Sequence, residues 1–487
     1  MIATMIATRP RNSHALARIL CSRLKMYLHH TKRIFADVML HWRMLLSTRF
    51  LTLCLVTSSV LAQAQASLQT SVQSQLPALI ETYKHFHRSP ELSHHEQQTS
   101  VYLAGELRKL GYTVTEHVGK YPDGKQAYGV VAVLANGAGP RVLIRTDMDA
   151  LPLVEQTGLD YASTVRTKNE QGQDVGVMHA CGHDIHMTVL LGVARELVER
   201  KAQWHGTAML IGQPSEETVD GARAMLADGI YERFGRPDFI LDEHDINLIP
   251  TGTVAMKPGP MNASSTSIDV IMRGIGAHGS QPQNSKDPVL MAAEFVVLAQ
   301  GIVARQVDPR NPAVLTVGTI HGGTKRNIIS DEVTMGLTLR TYSDKVRDQI
   351  IEAVRRTADG IAIGYGVPQD RMPIVTVSKT EYAPVNSNDP VLEERMRTVA
   401  VATLGADHVR LAEASMGSED VGEFALGGKI PEEMFWLGAV DSGKLEEAQA
   451  KGTQLPGPHS PFFAPVYEPT IATGVTTMTA MAMNLLQ

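Results

Sequence analysis

With 487 residues the chain is long enough for two or more domains and a sizeable core. Its formal net charge is −6, and removing residues 1–66, which carry nine Lys/Arg and one Asp, lowers that to −14. An acidic body of this kind excludes nucleic acid and anionic membranes as expected partners.

Residues 1–66 read as a leader. A basic stretch precedes an apolar run from Phe50 to Leu61, which ends in Ala62-Gln63-Ala64-Gln65-Ala66, small residues spaced as a signal-peptide cleavage site requires. The run is too short and too rich in Ser and Thr to span a bilayer, so no stable membrane insertion is expected. We expect an exported protein, periplasmic or secreted, cleaved near Ala64 or Ala66, with Met39 and Met44 as alternative starts to Met1. Cys54 lacks the small residues that a lipoprotein site places before its cysteine. Cleavage removes Cys21 and Cys54 and leaves Cys181 alone, so no internal disulfide can form.

From Gln73 to about Met261, helical and strand patterns alternate. Val101, Leu103, Leu107 and Leu110 recur at helical spacing within 96–110, and Gly111 follows as a cap. Apolar runs at Tyr128–Leu134 and Arg141–Thr146 predict strands. A helix near Asp184–Arg200, a strand at Thr207–Gly212, a helix near Gly221–Asp228 and a strand at Asp238–Leu241 follow. This alternation predicts an α/β layer on a mostly parallel sheet, whose sites gather beyond the carboxyl ends of strands. Asp147 and Asp149 follow one such strand, Glu216 and Glu217 another, and His244 a third.

Residues 262–380 read differently. Strands at Ser267–Met272, Ala313–Ile320, Glu332–Thr341 and Pro373–Ser378 are interleaved with helices at Asp287–Gln306 and Asp344–Ile363. That β-α-β-β-α-β order predicts a ferredoxin-like domain inserted into the larger one. The expected organisation is a leader (1–66), a catalytic domain in two parts (67–261 and 381–487) and an inserted lid or dimerisation domain (262–380).

Met178 to His186 packs a thiol, three imidazoles and a carboxylate into nine residues, and Gln213-Pro214-Ser215-Glu216-Glu217 follows. Thiolate, imidazole and carboxylate together bind borderline-soft divalent metals. Cys181 and His183 flank Gly182, so both can turn to one side of a tight loop; His179 and His186 compete with them as ligands. In an extended backbone Glu216 and Glu217 point apart, so one can bind metal while the other faces substrate as a general base. Asp147 and Asp149 allow the same division, with one aspartate orienting a ligand histidine.

These motifs, with Arg145–Pro152, Gly274–Ser280, Gly322–Asp331, Met416–Asp420 and His459-Ser460-Pro461-Phe462, resemble the M20 metallopeptidases. The likeness is to the amidohydrolase branch, which includes hippurate and auxin-conjugate hydrolases. The matches run in order from about Tyr83 to Tyr467. The resemblance implies two divalent metal ions per subunit (zinc, manganese, cobalt or nickel), held by Cys181, His183, Glu217, His244 and His459. It further implies Glu216 as general base, with Asp149 in the catalytic set, and a homodimer in which His278 reaches the neighbouring subunit's site. Asn327 and Arg340 would hold the substrate carboxylate beside His278. The implied reaction is hydrolysis of the amide in an N-acyl amino acid or similar small conjugate.

Two departures stand out. The family's Gly-x-His reads Asp242-Glu243-His244 here, with further residues Asp245-Ile246-Asn247 after it, and Thr324-Lys325-Arg326 sets two positive charges beside Asn327, favouring an anionic substrate. A dipeptidase or carboxypeptidase of the same fold, a binding protein without catalysis and a thiol enzyme using Cys181 as nucleophile are the alternatives.

Overall fold

The apolar runs of the first half become the inner strands of one sheet. The structure is a computed structural model describing Met26, residues 68–169 and residues 171–487; apart from Met26, the expected leader and its cleavage site lie outside the described residues. The chain runs α1 (68–88 among the described residues), α2 (Gln97–Lys109), β1 (Thr113–Lys120), β2 (Gln126–Asn136), β3 (Arg141–Asp147), α3 (His183–Glu199), β4 (Gly206–Gln213), β5 (Phe239–Pro250) and β6 (Val254–Met256). Then come β7 (Ser264–Arg273), β8 (Ala277–His278), α4 (Pro288–Gln306), β9 (Ala313–Gly322), β10 (Ile328–Ile329), β11 (Glu332–Thr341), α5 (Asp344–Gly364) and β12 (Ile374–Ala383). The chain closes with β13 (Val409–Leu411), β14 (Glu432–Val440) and α6 (Tyr467–Leu485).

Eight strands form the larger sheet in the order β1-β2-β4-β3-β5-β14-β6-β13. The centre, β4-β3-β5-β14, is parallel, while β1 and β2 are antiparallel additions at one edge. The fold class is therefore α/β with a mostly parallel sheet. Central strands lie under helices and read as near-continuous apolar runs: Val142, Leu143 and Ile144 of β3 and Leu210 and Ile211 of β4 are fully buried.

β5 extends well past the expected end at Leu241. Asp242, Glu243 and Asp245 interrupt the apolar pattern but continue the strand, because β14 pairs along it from Glu432↔Ile240 to Leu437↔Asp245. His244 therefore sits within a strand, opposite Trp436.

The second sheet has the order β9-β11-β7-β12, all antiparallel, with α4 and α5 packed against it. Asp287 caps α4 by accepting from the Val289 and Leu290 amides, and Pro288 stands where its missing N–H costs nothing. Phe295 and Met291 of α4 meet Ile350 and Val354 of α5 and Val270 and Met335 of the sheet in one buried cluster. Pairing of β7 with β11 is unbroken and sets Ser265 opposite Arg340, which fixes where that arginine projects.

Candidate metal centre

Gly182 makes the Cys181–His183 turn possible. It adopts φ 86° at the N-terminus of α3, and a Cβ there would lie 2.0 Å from Asp245 Oδ1. The turn leaves Cys181 Sγ 3.4 Å from His244 Nε2. His244 Nδ1–H donates to the Asp245 backbone carbonyl at 2.7 Å, so its Nε2 lone pair faces the thiol.

The ligand atoms fall into two triads that share the thiol. Cys181, His183 and His244 form one and Cys181, Glu217 and His459 the other, the atoms of each within 4.8 Å of one another. His459, at φ 68°, brings Nε2 to 3.3 Å from Glu217 Oε2. His183 Nδ1 is 3.5 Å from Asp149 Oδ1, and its Nε2 is 3.6 Å from Asp147 Oδ2 and 3.8 Å from Glu216 Oε2. Among the described residues, neither His183 nitrogen nor Glu217 Oε1 has a hydrogen-bond partner, although all three atoms are buried. Orphaned donors of this kind, arranged around a thiol, fit a pair of divalent cations.

His186 is separated from these ligands by its surroundings; His179 is not, since neither of its buried ring nitrogens has a hydrogen-bond partner among the described residues. His186 is clamped between two carboxylates, Nδ1 to Asp147 Oδ1 at 2.7 Å and Nε2 to Asp245 Oδ1 at 3.2 Å. It enters two further groupings, with Asp147 and His183 and with His244 and Asp245, but its nitrogens are already engaged. His179 is buried, and burial lowers its pKa to about 4.

Asp149 serves the site through the backbone. Its Oδ1 accepts from the Glu216 amide at 3.1 Å, and its Oδ2 accepts from the Glu217 amide at 3.0 Å and from Ser93 Oγ at 2.6 Å. Arg145, invisible to motif reasoning as a functional residue, is fully buried and donates to Asp147 Oδ2 at 2.7 Å and Glu419 Oε1 at 2.6 Å. It offsets part of the charge of the acids beneath the site.

Burial pushes the Cys181 thiol up, and Glu217 and Glu216 push it further. Burial raises Glu216 well above the carboxylate range, helped by Glu419 and Glu217, and takes Glu217 to about 8 against the pull of His183. Burial opposes a charged His183, but Asp147 and Asp149 outweigh it and raise that ring to about 9. The protein alone therefore holds protons that a cation would displace.

A cavity of about 720 Å³ opens on this cluster. Cys181, Glu216, Glu217, His244 and His459 form one wall, and Ser265, Val314, Thr338 and Arg340 of the second sheet face them. Arg340 donates to Ser418 Oγ at 2.8 Å. His278 and Asn327 do not line this cavity. Both are exposed on the β8–β10 ribbon, where the Gly279 amide donates to the Asn327 carbonyl and His278 Nδ1 lies 2.7 Å from Ser280 Oγ.

A parallel-sheet scaffold with a shared-thiol acidic centre defines the class of metal-binding hydrolases. Residues 143–484 match peptidase family M20/M25/M40, and the chain belongs to that family, in its amidohydrolase branch. It is 34% identical over 368 residues to thermostable carboxypeptidase 1 of Saccharolobus solfataricus, covering 75% of this chain and 87% of that protein. It is 35% identical over 340 residues to the hippurate hydrolase of Campylobacter jejuni, covering 69% and 82%. The crystal structure of the Bacillus subtilis YXEP protein, described as a dinuclear metal-binding peptidase of the M20 family, superposes with a TM-score of 0.67 at 29% identity, covering 85% of this chain and 99% of that one.

Proposed function

We propose that the chain hydrolyses the amide bond of N-acyl amino acids, with Cys181, His183, Glu217, His244 and His459 holding two divalent ions. The observation that carries this reading is the pair of ligand triads sharing Cys181, with Glu216 beside them at the cavity wall. Bound ions would supply Lewis acidity toward the carbonyl and make water a stronger acid. Glu216 takes the proton from the attacking water and returns it to the leaving amine. Asp149 holds the backbone of both glutamates, and Arg340 presents a guanidinium to the substrate carboxylate. A thiolate and imidazoles favour zinc, while the acids beside them also suit manganese, cobalt or nickel.

The other half of the proposal is a homodimer. Val289, Leu290, Val297 and Leu298 leave an apolar face of α4 exposed, and β9 is an edge strand of its sheet. Helix Pro288–Gln306 is long and apolar enough to cross a membrane by length and composition; a second copy of this chain is the occupant we assign to its outer face. That docking would bring His278 and Asn327 of the partner subunit to the cavity, where His278 would stabilise the developing oxyanion.

Likeness to a carboxypeptidase favours a second reading, cleavage of a C-terminal residue from a peptide. A panel of N-acetyl and N-benzoyl amino acids beside dipeptides separates the two. Faster release from acyl amino acids supports the first reading, and turnover of dipeptides alone supports the second.

A further inference from the structure

The turn that aims Glu216 is built on a strained residue. Ser215 adopts φ 53°, a left-handed conformation that non-glycine residues adopt rarely, and it is completely buried. Such a conformation persists only where its surroundings enforce it.

Here they do so from a distant part of the chain. Glu96 Oε1 accepts from the Ser215 amide at 2.8 Å, from Ser215 Oγ at 3.0 Å and from the His94 amide at 3.0 Å. Because Ser215 Oγ–H donates to Glu96, the Tyr121 hydroxyl, 2.6 Å away, donates to Ser215 Oγ. Glu96 is fully buried at the start of α2 and makes none of these bonds to a metal-ligand side chain. With Asp149 receiving the next two amides, three consecutive N–H groups of 215–217 end on two buried carboxylates.

We propose that Glu96, with Tyr121, is a positioning residue for catalysis: it clamps Ser215 in its strained conformation and thereby directs Glu216 at the reacting water. The proposal rests on Glu216 being the base. Neither Glu96 nor Tyr121 lines the cavity, so their effect should appear in turnover and act only through Glu216.

The test is a double-variant comparison on an N-acyl amino acid that the wild type turns over. Glu96→Leu should lower kcat by about tenfold to a hundredfold, the scale of a small misplacement of a catalytic group. KM should stay within about twofold, and the metal content should be unchanged. Glu96→Gln, which keeps the accepting oxygen, should restore most of the loss. In a Glu216→Gln background, Glu96→Leu should cost less than about a further twofold, because residues acting as one unit are not additive. Losses that multiply in the double variant, or a loss of metal in Glu96→Leu, would overturn the clamp. Should Glu96→Leu fail to fold, Tyr121→Phe carries the same comparison: a kcat loss that vanishes without Glu216 supports the proposal, and an unchanged kcat or a persistent loss refutes it. A fully active Glu216→Gln enzyme would remove the base assignment and the clamp with it.

Discussion

At the scale of single residues, the extended alternation expected of Glu216 and Glu217 gives way to a turn, in which the Val219 amide donates to the Glu216 carbonyl at 2.7 Å. Both glutamates line the cavity and lie near His183, Glu216 at 3.8 Å and Glu217 at 3.9 Å, and Glu217 also groups with Cys181 and His459. Glu216→Gln should therefore keep both ions and lose about a hundredfold or more in turnover, as removal of a general base does; metal analysis beside initial rates checks it. Cys181→Ser replaces an anionic sulfur common to both triads with a neutral hydroxyl, so metal should be lost on dialysis. Full stoichiometry in that variant, with a wild-type thiol equally reactive before and after metal removal, would restore the nucleophile reading. Cys181 and His183 were legible because they are near neighbours in one motif. The hold on Ser215 was not, because Glu96 lies 119 residues away, and an isolated glutamate before a helix carries no mark of its partner.

Among the elements, the β-α-β-β-α-β order of 262–380 was legible because amphipathic periods change cleanly there. The length of β5 was not, because buried acids imitate the end of a strand; only pairing with β14 reveals that it continues. α1 is tied to α3 by another buried polar chain, in which His87 contacts Asp184 at 2.6 Å and Glu155 at 3.1 Å. Burial opposes a charged His87, but the two carboxylates prevail and raise its pKa to about 9. Since the folded value exceeds the unfolded value of about 6.5, this stabilisation is full below pH about 6.5 and is lost as pH rises to about 9. Denaturant unfolding across that interval should show the slope in the wild type and a smaller one in His87→Gln. His278→Ala, on the exposed β8–β10 ribbon, and Glu216→Gln, at the cavity wall, should each be nearly inactive, yet regain part of the activity when mixed under conditions that exchange subunits. Confirmed exchange without recovery would show that His278 does not act across a dimer.

For the whole molecule, ions bound only by the folded chain add to its stability. Chelation should lower the thermal midpoint by several degrees, and reloading near pH 7 should release protons, since Glu217 titrates at about 8 in the protein alone. The mature chain should begin just after Ala64 or Ala66, which intact mass of the exported protein would show. The most direct measurement is release of free amino acid from N-acetyl and N-benzoyl amino acids by metal-loaded protein, by chelator-stripped protein and by protein reloaded after stripping. Free amino acid should appear with the loaded form, cease with the stripped form and return on reloading. Protein that binds two ions per chain and releases amino acid from none of these substrates would contradict an N-acyl amino acid hydrolase.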